Sequence, residues 1–361
     1  MSAYTELLER LKSEPRTWLV TGVAGFIGSN LLQALLNANQ NVVGLDNFST
    51  GKRRNLNEVI SLVPSATRSH FRFIEGDIRN SKTCHQACEN VDYILHEAAL
   101  GSVPRSIEDP IGSNDNNVTG FLNVLEAARE QQVRRFVYAS SSAVYGDAPD
   151  LPKIEGKAGR LLSPYAVTKA INELYADVFA RIYGLEAIGL RYFNVFGPRQ
   201  DPDGPYAAVI PRWVATMIKN EATVINGDGS TSRDFCYIAN VVQANLLAAT
   251  SPNPEAVGQE FNVALNDRTS LLELFEMLRS KLLPDYPHLR DYKPEHQVFR
   301  IGDILHSEAD ITKARTLLGY APTHTVEEGL DVALDWYKRN LIGSPPPEKK
   351  TSDSIQAPAV V

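Results

Sequence analysis

The chain has 361 residues, a formal charge of −7 and 43% hydrophobic composition. That length suits one large α/β unit with a smaller partner, and the acidic balance argues against a general nucleic-acid surface. No apolar run reaches the ~20 residues needed to cross a bilayer. Residues 1–15 carry Glu6, Glu9, Arg10, Lys12 and Glu14, which a secretory signal would not. Three cysteines, Cys84, Cys88 and Cys236, cannot build a disulfide framework, so a reducing cytoplasm is expected and a metal site is not.

Leu7, Leu8 and Leu11 make an apolar stripe that predicts a short amphipathic helix over 4–12. The run Thr17-Trp18-Leu19-Val20 then reads as a strand. It leads into Thr21-Gly22-Val23-Ala24-Gly25-Phe26-Ile27-Gly28, which opens an apolar-periodic helix over 26–36. Strand, glycine turn and helix together seat a dinucleotide pyrophosphate on a helix N-terminus. Gly22 serves the tight turn, Gly25 the backbone approach to phosphate and Gly28 the close lie of helix on strand. Asp46 ends the next strand-like run, 42–45, and stands 18 residues after Gly28. A carboxylate there bonds a ribose 2′-hydroxyl and repels a 2′-phosphate, which favours NAD over NADP.

Strands are expected at 71–75, 91–96 and 135–139, with a helix over 117–131 carrying Val118, Phe121, Leu122, Leu125 and Ala128 on one face. Alternating strands and helices predict a doubly wound parallel sheet of Rossmann type, with ligands beyond the carboxyl ends of the strands. Polar punctuation falls at those ends, at Asp77, 98–102 and Ser140-Ser141-Ser142. The longest helix expected is 163–183, with Ser163 as cap, Pro164 in its first turn and Gly184 as its stop. A strand follows at 185–190, then a Gly/Pro/Asp-rich loop over 197–211, helices over 210–218 and 271–283, and a late strand at 261–264. The expected division is a cofactor domain of 1–190 plus roughly 236–265, a smaller α/β substrate domain of 191–235 and 266–342, and a disordered tail over 343–361.

Tyr165 and Lys169 stand i, i+4 on the long helix and share one face. A phenol titrates near pH ~10 when free, and each opposite charge at close range lowers that by roughly 1–3. Lys169 is one such charge and an oxidised nicotinamide ring a second. A hydroxyl from Ser140, Ser141 or Ser142 would orient the substrate oxygen. This set removes a proton from an alcohol while hydride leaves the same carbon.

Taken together, Thr21-Gly22-x-x-Gly25-x-x-Gly28, His96-x-Ala98-Ala99, Ser140-Ser141-Ser142-x-Val144-Tyr145-Gly146, Tyr165-x-x-x-Lys169 and Arg191-Tyr192-Phe193-Asn194 resemble the extended short-chain dehydrogenases/reductases that act on nucleotide sugars. Within that family, Ala99-Leu100-Gly101-Ser102-Val103-Pro104-Arg105 and Ser232-Arg233-Asp234-Phe235-Cys236-Tyr237 are most similar to UDP-N-acetylglucosamine 4-epimerases of bacterial surface-polysaccharide pathways, such as O-antigen synthesis.

The resemblance implies NAD as a resident catalyst, Tyr165 as base, and Lys169 as the group that lowers its pKa and holds the nicotinamide ribose. It selects Ser141 as the catalytic hydroxyl, with Ser142 left open. It implies cofactor contacts along Gly22, Gly25, Phe26, Ile27 and Gly28, then Asp46, Asn47, Ser49, Thr50 and Gly51. Asp77 and Ile78 would flank the adenine and Ala98 and Ala99 the cofactor's middle, with Asn117, Tyr192 and Val195 completing the set. The UDP-sugar would lie against Gly101, Ser102, Ser140, Ser141, Ser142, Asn194, Val209, Trp213, Ile225, Asn226, Arg233, Arg300 and Asp303. Arg233 and Arg300 are suited to a pyrophosphate. A small Ser307, where relatives restricted to sugars without an acetamido group carry a bulky Tyr, would leave room for the N-acetyl group.

The implied reaction is C4 epimerisation of UDP-N-acetylglucosamine to UDP-N-acetylgalactosamine through a 4-keto sugar, with UDP-glucose/UDP-galactose as a further pair. Alternatives are 4-epimerisation of UDP-N-acetylglucosaminuronate, nucleotide-sugar dehydration or decarboxylation, and a non-catalytic dinucleotide sensor. Ala143 stands where dehydratases and decarboxylases of the family carry an acid, and the presence of both Tyr165 and Lys169 argues against a sensor. A homodimer through the helices 117–131 and 163–183 is implied by the resemblance alone.

Overall fold

The computed structural model describes residues 2–202, 208–299 and 305–341. Arg300 and Asp303 lie outside the described residues, as do the tail expected over 343–361 and part of the loop expected over 197–211. The expected amphipathic helix is α1 (Ala3–Ser13), with Leu7 and Leu11 buried. Six strands, β1 (Thr17–Thr21), β2 (Asn41–Asp46), β3 (Phe71–Glu75), β4 (Tyr93–His96), β5 (Arg135–Ser141) and β6 (Ala187–Tyr192), join Gln259–Val263 in one sheet. The late strand lies outermost beside β6, followed by β5, β4, β1, β2 and β3, and every pairing is parallel.

Alternation along the strands separates two cores. Trp18, Val20, Val42, Leu95, Val137 and Ile188 face one layer, while Leu19, Val43, Leu45, Ile94 and Phe136 face the other. Helix α2 (Phe26–Asn37) and the helix Ile238–Thr250 cover the first face through Leu31, Leu35, Val241 and Ala248. Helices α4 (Ser81–Cys88), α7 (Gly120–Glu130) and α8 (Pro164–Tyr183) cover the second through Cys84, Phe121, Leu125 and Phe179. A parallel sheet covered on both faces needs such apolar strands. The strand order reverses between β1 and β4, where Thr21 pairs with both Leu45 and His96, so a crevice opens beyond those three ends.

The boundaries of α8 follow its sequence signals: the Ser163 hydroxyl accepts from Ala166 N at 3.1 Å, Pro164 begins the helix, and Gly184 leaves it at φ +70°. Two expectations shift. The helix expected over 117–131 begins instead with a wider π turn, Asp115–Thr119, before α7. There the buried Asn117 side chain is drawn out of helical register, accepting from Leu100 N at 2.7 Å and donating to Leu100 O and Thr168 Oγ1, both at 3.1 Å. The strand expected to stop at 190 runs to Tyr192, because Arg191 is not a loop cation: it forks onto Glu173 at 2.9 and 2.8 Å inside the protein.

Beyond the sheet, Val209–Ile218 and Leu271–Leu282 are helical. Val224–Asn226 pairs with Glu295–Gln297 and Ser232–Arg233 with Thr269–Ser270. Asp234, with no exposed surface, fastens this region. Its carboxylate accepts backbone N–H bonds from Leu265 (2.9 Å), Asn266 (3.1 Å), Asp267 (3.3 Å) and Ala309 (3.2 Å). Burial pushes its pKa upward while these donors pull it back down. Asp234→Ala leaves those N–H groups without their acceptor, and an unmet buried donor costs about 1–3 kcal/mol. Urea unfolding is expected to show a loss of at least about 3 kcal/mol, and an unchanged midpoint contradicts this role.

Candidate active site

The crevice between β1 and β4 is shaped by the glycine turn. Gly22 holds φ +67°, and its N–H donates to Leu45 O at 2.8 Å. A Cβ on Gly28 would stand 2.2 Å from Gly22 O, so only glycine lets α2 rest on the turn. Gly25 caps α2 without a side chain, which leaves the first-turn N–H groups of Phe26 and Ile27 to an anion. A cavity of about 300 Å³ is lined by this turn, by Asp46, Asn47, Ser49 and Thr50 on one side, and by Ile78, Ala98 and Ala99 on the other.

Asp46 is buried at the end of β2. One carboxylate oxygen accepts from Ala24 N at 2.9 Å and the other from Phe48 N at 2.8 Å, so it braces the turn while facing the cavity. Burial raises its pKa and these backbone bonds lower it. A carboxylate has about four lone-pair sites, so capacity remains for a ribose hydroxyl.

Of the expected cofactor contacts, Gly51, Asp77, Asn117, Tyr165, Lys169, Tyr192 and Val195 are not on this cavity's wall. Gly51 packs behind the turn, where a Cβ would meet Ala24 and Asp46 Oδ2, each at 2.9 Å. Asp77 turns to Arg79 at 2.7 Å and accepts from Asn47 Nδ2 at 2.9 Å, so it orients Asn47 from outside the cavity wall. Its hydrogen bonds to Arg79, opposed by partial burial, hold its pKa down at about 2. Asn117 lies beneath the 98–101 loop and fastens it through Leu100, while Asn116 reaches the cavity wall. Tyr192 is buried, donating to Glu97 Oε1 and accepting from Asn245 Nδ2, both at 2.8 Å.

Tyr165, Lys169 and Glu173 stand four residues apart along α8, and each meets the end of β5. The Tyr165 phenol lies beside the Ser141 hydroxyl, which acts to lower its pKa. Lys169 Nζ donates to Ala139 O at 2.7 Å. Glu173 Oε1 accepts from Ser140 Oγ at 2.6 Å. Ser140, expected on the substrate, braces Glu173 in this structure. The structure selects Ser141 as the hydroxyl beside the phenol; Ser142 begins the following 3-10 turn, Ser142–Tyr145.

Burial raises the phenol, the bond that lowers it comes from Ser141, and the ammonium points to Ala139 O. Burial brings Lys169 itself down to about 8, against the charges of Glu97 and Glu173.

A second cavity of about 520 Å³ meets the first at Gly101, which borders both. Ser102, Asn194, Val209, Trp213, Asn226 and Arg233, expected on the sugar nucleotide, all line it. Val195 belongs to this wall rather than to the cofactor cavity. Ile225 is fully buried between two lining neighbours, Val224 and Asn226, because the strand alternates and its side chain points to the core. Ser307 is buried next to Ser232, whose carbonyl accepts from Ser307 N at 3.1 Å, and it is not part of either cavity wall. Arg212, Gln200 and Gln297 line the second cavity without having been singled out in the sequence; their polarity carries no periodic signal.

The NAD dependent epimerase/dehydratase family matches residues 18–264. The chain belongs to this family. A member from Methanocaldococcus jannaschii, named a putative UDP-glucose 4-epimerase, is 36% identical over 89% of this chain and 98% of its own. The UDP-N-acetylglucosamine 4-epimerase of Methanobrevibacter ruminantium M1, solved with UDP-N-acetylmuramic acid, is also 36% identical and superposes with a TM-score of 0.82 over 90% of this chain and 99% of its own. The UDP-glucuronic acid 4-epimerase of Bacillus cereus, solved with UDP-glucuronic acid and NAD, is 32% identical with a TM-score of 0.79 over 90% and 99%.

NAD is the cofactor of this epimerase, and the glycine cradle, uncapped α2 and Asp46 carboxylate fit it. Gly28→Ala forces a methyl group into the Gly22 carbonyl, displacing the phosphate-facing turn. NAD affinity measured by calorimetry is expected to fall at least about 10-fold, a change of about 1.4 kcal/mol; retained affinity contradicts the cradle's role.

Proposed function

We propose that this enzyme, of the UDP-sugar 4-epimerase type, interconverts UDP-N-acetylglucosamine and UDP-N-acetylgalactosamine. The observation that carries the reading is the Tyr165–Ser141 pair at the end of β5, with a cofactor cavity and a larger polar cavity meeting at Gly101. Bound in the first cavity, NAD supplies the acceptor and donor of the C4 hydride.

The protein's own groups handle the proton and the geometry. Ser141 holds the sugar O4 by a hydrogen bond, and Tyr165 takes the O4 proton and later returns it. Lys169 contributes positive charge beside them. Arg233 and Asn194, both on the wall of the second cavity, anchor the diphosphate while the 4-keto hexose turns to present its other face. Ala143 supports epimerisation over dehydration or decarboxylation, since no carboxylate stands at that position. A second reading, 4-epimerisation of UDP-N-acetylglucosaminuronate, is favoured by Arg212 on the same wall, a cation suited to the C6 carboxylate.

We assign a homodimer as the working assembly. Val167, Leu174 and Ile182 on α8 are exposed, as are Ile107 and Ile111 on the short helices Val103–Glu108 and Pro110–Asn114 that pack on α8, and a symmetric pair would cover this apolar surface. No helix among the described residues is long and apolar enough to cross a membrane. A cytoplasmic setting is supported by three unpaired, buried thiols, with burial pushing Cys84 and Cys88 up to about 12.

Purified protein mixed with UDP-N-acetylglucosamine, without added NAD, is expected to produce the galacto epimer by NMR, and Tyr165→Phe to lower turnover by at least about 100-fold. Absence of the epimer from wild type, or full turnover in the variant, overturns the reading. Ser307→Tyr is expected to remove turnover of UDP-N-acetylglucosamine while sparing UDP-glucose, because Ser307 stands where the family resemblance places a bulky Tyr in relatives restricted to sugars without an acetamido group. Equal retention of both activities refutes a role in choosing the sugar.

A further inference from the structure

In His96-Glu97-Ala98-Ala99, the motif leaves Glu97 as a spacer, yet its side chain lines the cofactor cavity. One carboxylate oxygen accepts from Tyr192 OH at 2.8 Å, and that phenol is in turn held by Asn245 Nδ2 at 2.8 Å. The other oxygen is buried with no hydrogen-bond partner among the described residues, as is Asn245 Oδ1. A buried carboxylate left half-satisfied is costly unless a charge compensates it.

Glu97 follows His96, which pairs with Tyr138 across β4 and β5, so it stands beside Ala139, whose carbonyl accepts from the Lys169 ammonium at 2.7 Å. Of the two carboxylates whose charges act on Lys169, Glu173 already carries the Arg191 fork at 2.9 and 2.8 Å and the Ser140 hydroxyl at 2.6 Å. Glu97 carries only the neutral Tyr192 hydroxyl.

We propose that Glu97 is a positioning residue of the epimerase: it supplies the negative charge that keeps Lys169 protonated beside Tyr165, and Tyr192 and Asn245 hold it there. The inference rests on the epimerase reading for its meaning, but not for its test. The groups facing the pair are Tyr192 and Arg191 from β6, Glu173 and Tyr165 from α8, His96 from β4 and Cys236 beside Tyr192. His96 is neutral here, since burial holds it down at about 3. Burial raises Glu97 to about 7, opposed by the Tyr192 bond and the Lys169 charge, while Lys169 lies at about 8.

Removing the carboxylate makes the ammonium less favourable, so Lys169 loses its proton at lower pH. In Glu97→Gln the alkaline limb of kcat is expected to move down by about 1 pH unit, with KM for the UDP-sugar changed less than about 3-fold. Glu97→Asp should restore part of the shift. Independently of turnover, protein labelled with ¹³C-lysine, its Lys169 signal assigned by Lys169→Met, is expected to show the same downward movement of the titration midpoint. Tyr192→Phe, which keeps the carboxylate but loosens it, is expected to move the midpoint by a smaller amount and decides the matter if Glu97→Gln does not fold. A lower kcat with an unmoved limb, or an unmoved Lys169 midpoint in the folded variants, overturns the proposal. Failure of wild type to turn over any UDP-sugar would instead sink the epimerase reading and leave the lysine titration to judge Glu97.

Discussion

The site depends on one packing relation: the inner face of α8 lies along the carboxyl end of β5. A helix returns to the same face every four residues or so, and a strand ends in a row of alternating side chains and carbonyls. The match places Tyr165 on Ser141, Lys169 on Ala139 O and Glu173 on Ser140 in one ladder. Removing an ammonium from water costs several kcal/mol. Lys169 is tolerated there because a carbonyl accepts one of its N–H bonds and the charges of two carboxylates act on it. Asn117 and Asn172 lock the helix from its other side, through Thr168 Oγ1 at 3.1 Å and Asn117 O at 2.7 Å.

The crevice that receives the cofactor arises from topology. The chain moves outward from β1 through β2 and β3, then crosses to β4, β5 and β6, so no crossover fills the gap above β1 and β4. Glycine at 22 and 28 brings α2 close to the strand, and the uncapped helix start meets that gap. The neighbouring strand ends contribute a carboxylate at Asp46, a second at Glu97 and, farther along, the Ser141 hydroxyl. At Gly101, where a Cβ would meet nothing within 4 Å, the cofactor side opens into the sugar side. A reaction that requires a ring to turn over needs such open space next to a firmly built wall.

Much of this was legible beforehand. The glycine turn, the i, i+4 tyrosine and lysine, and the cap and stop of the long helix are local signals, and local signals survive folding. Four residues the sequence suggests for the site share a different feature. Ile225, Asp77 and Asn117 each sit beside a residue that lines a cavity while they themselves do not, and Ser140, one step from Ser141, bonds Glu173 instead. In a strand one step reverses the side chain, so a run of three serines does not say which one faces out until the register of β5 against α8 is known. Glu97 carries no local signal for a related reason: an acid within an apolar motif shows its importance only once its neighbours, Tyr192 and Lys169, arrive from 95 and 72 residues away.

By itself, the sequence determined the layer architecture, the cofactor turn and the chemistry-bearing pair, because periodicity, glycine spacing and helix capping act over a few residues. The tertiary structure alone decided which serine touches the phenol, which acid faces the lysine and how two cavities join at Gly101. Those outcomes depend on the register between elements far apart in the chain and on burial, which moves the charge of Lys169 and Glu97 in directions that residue type does not specify.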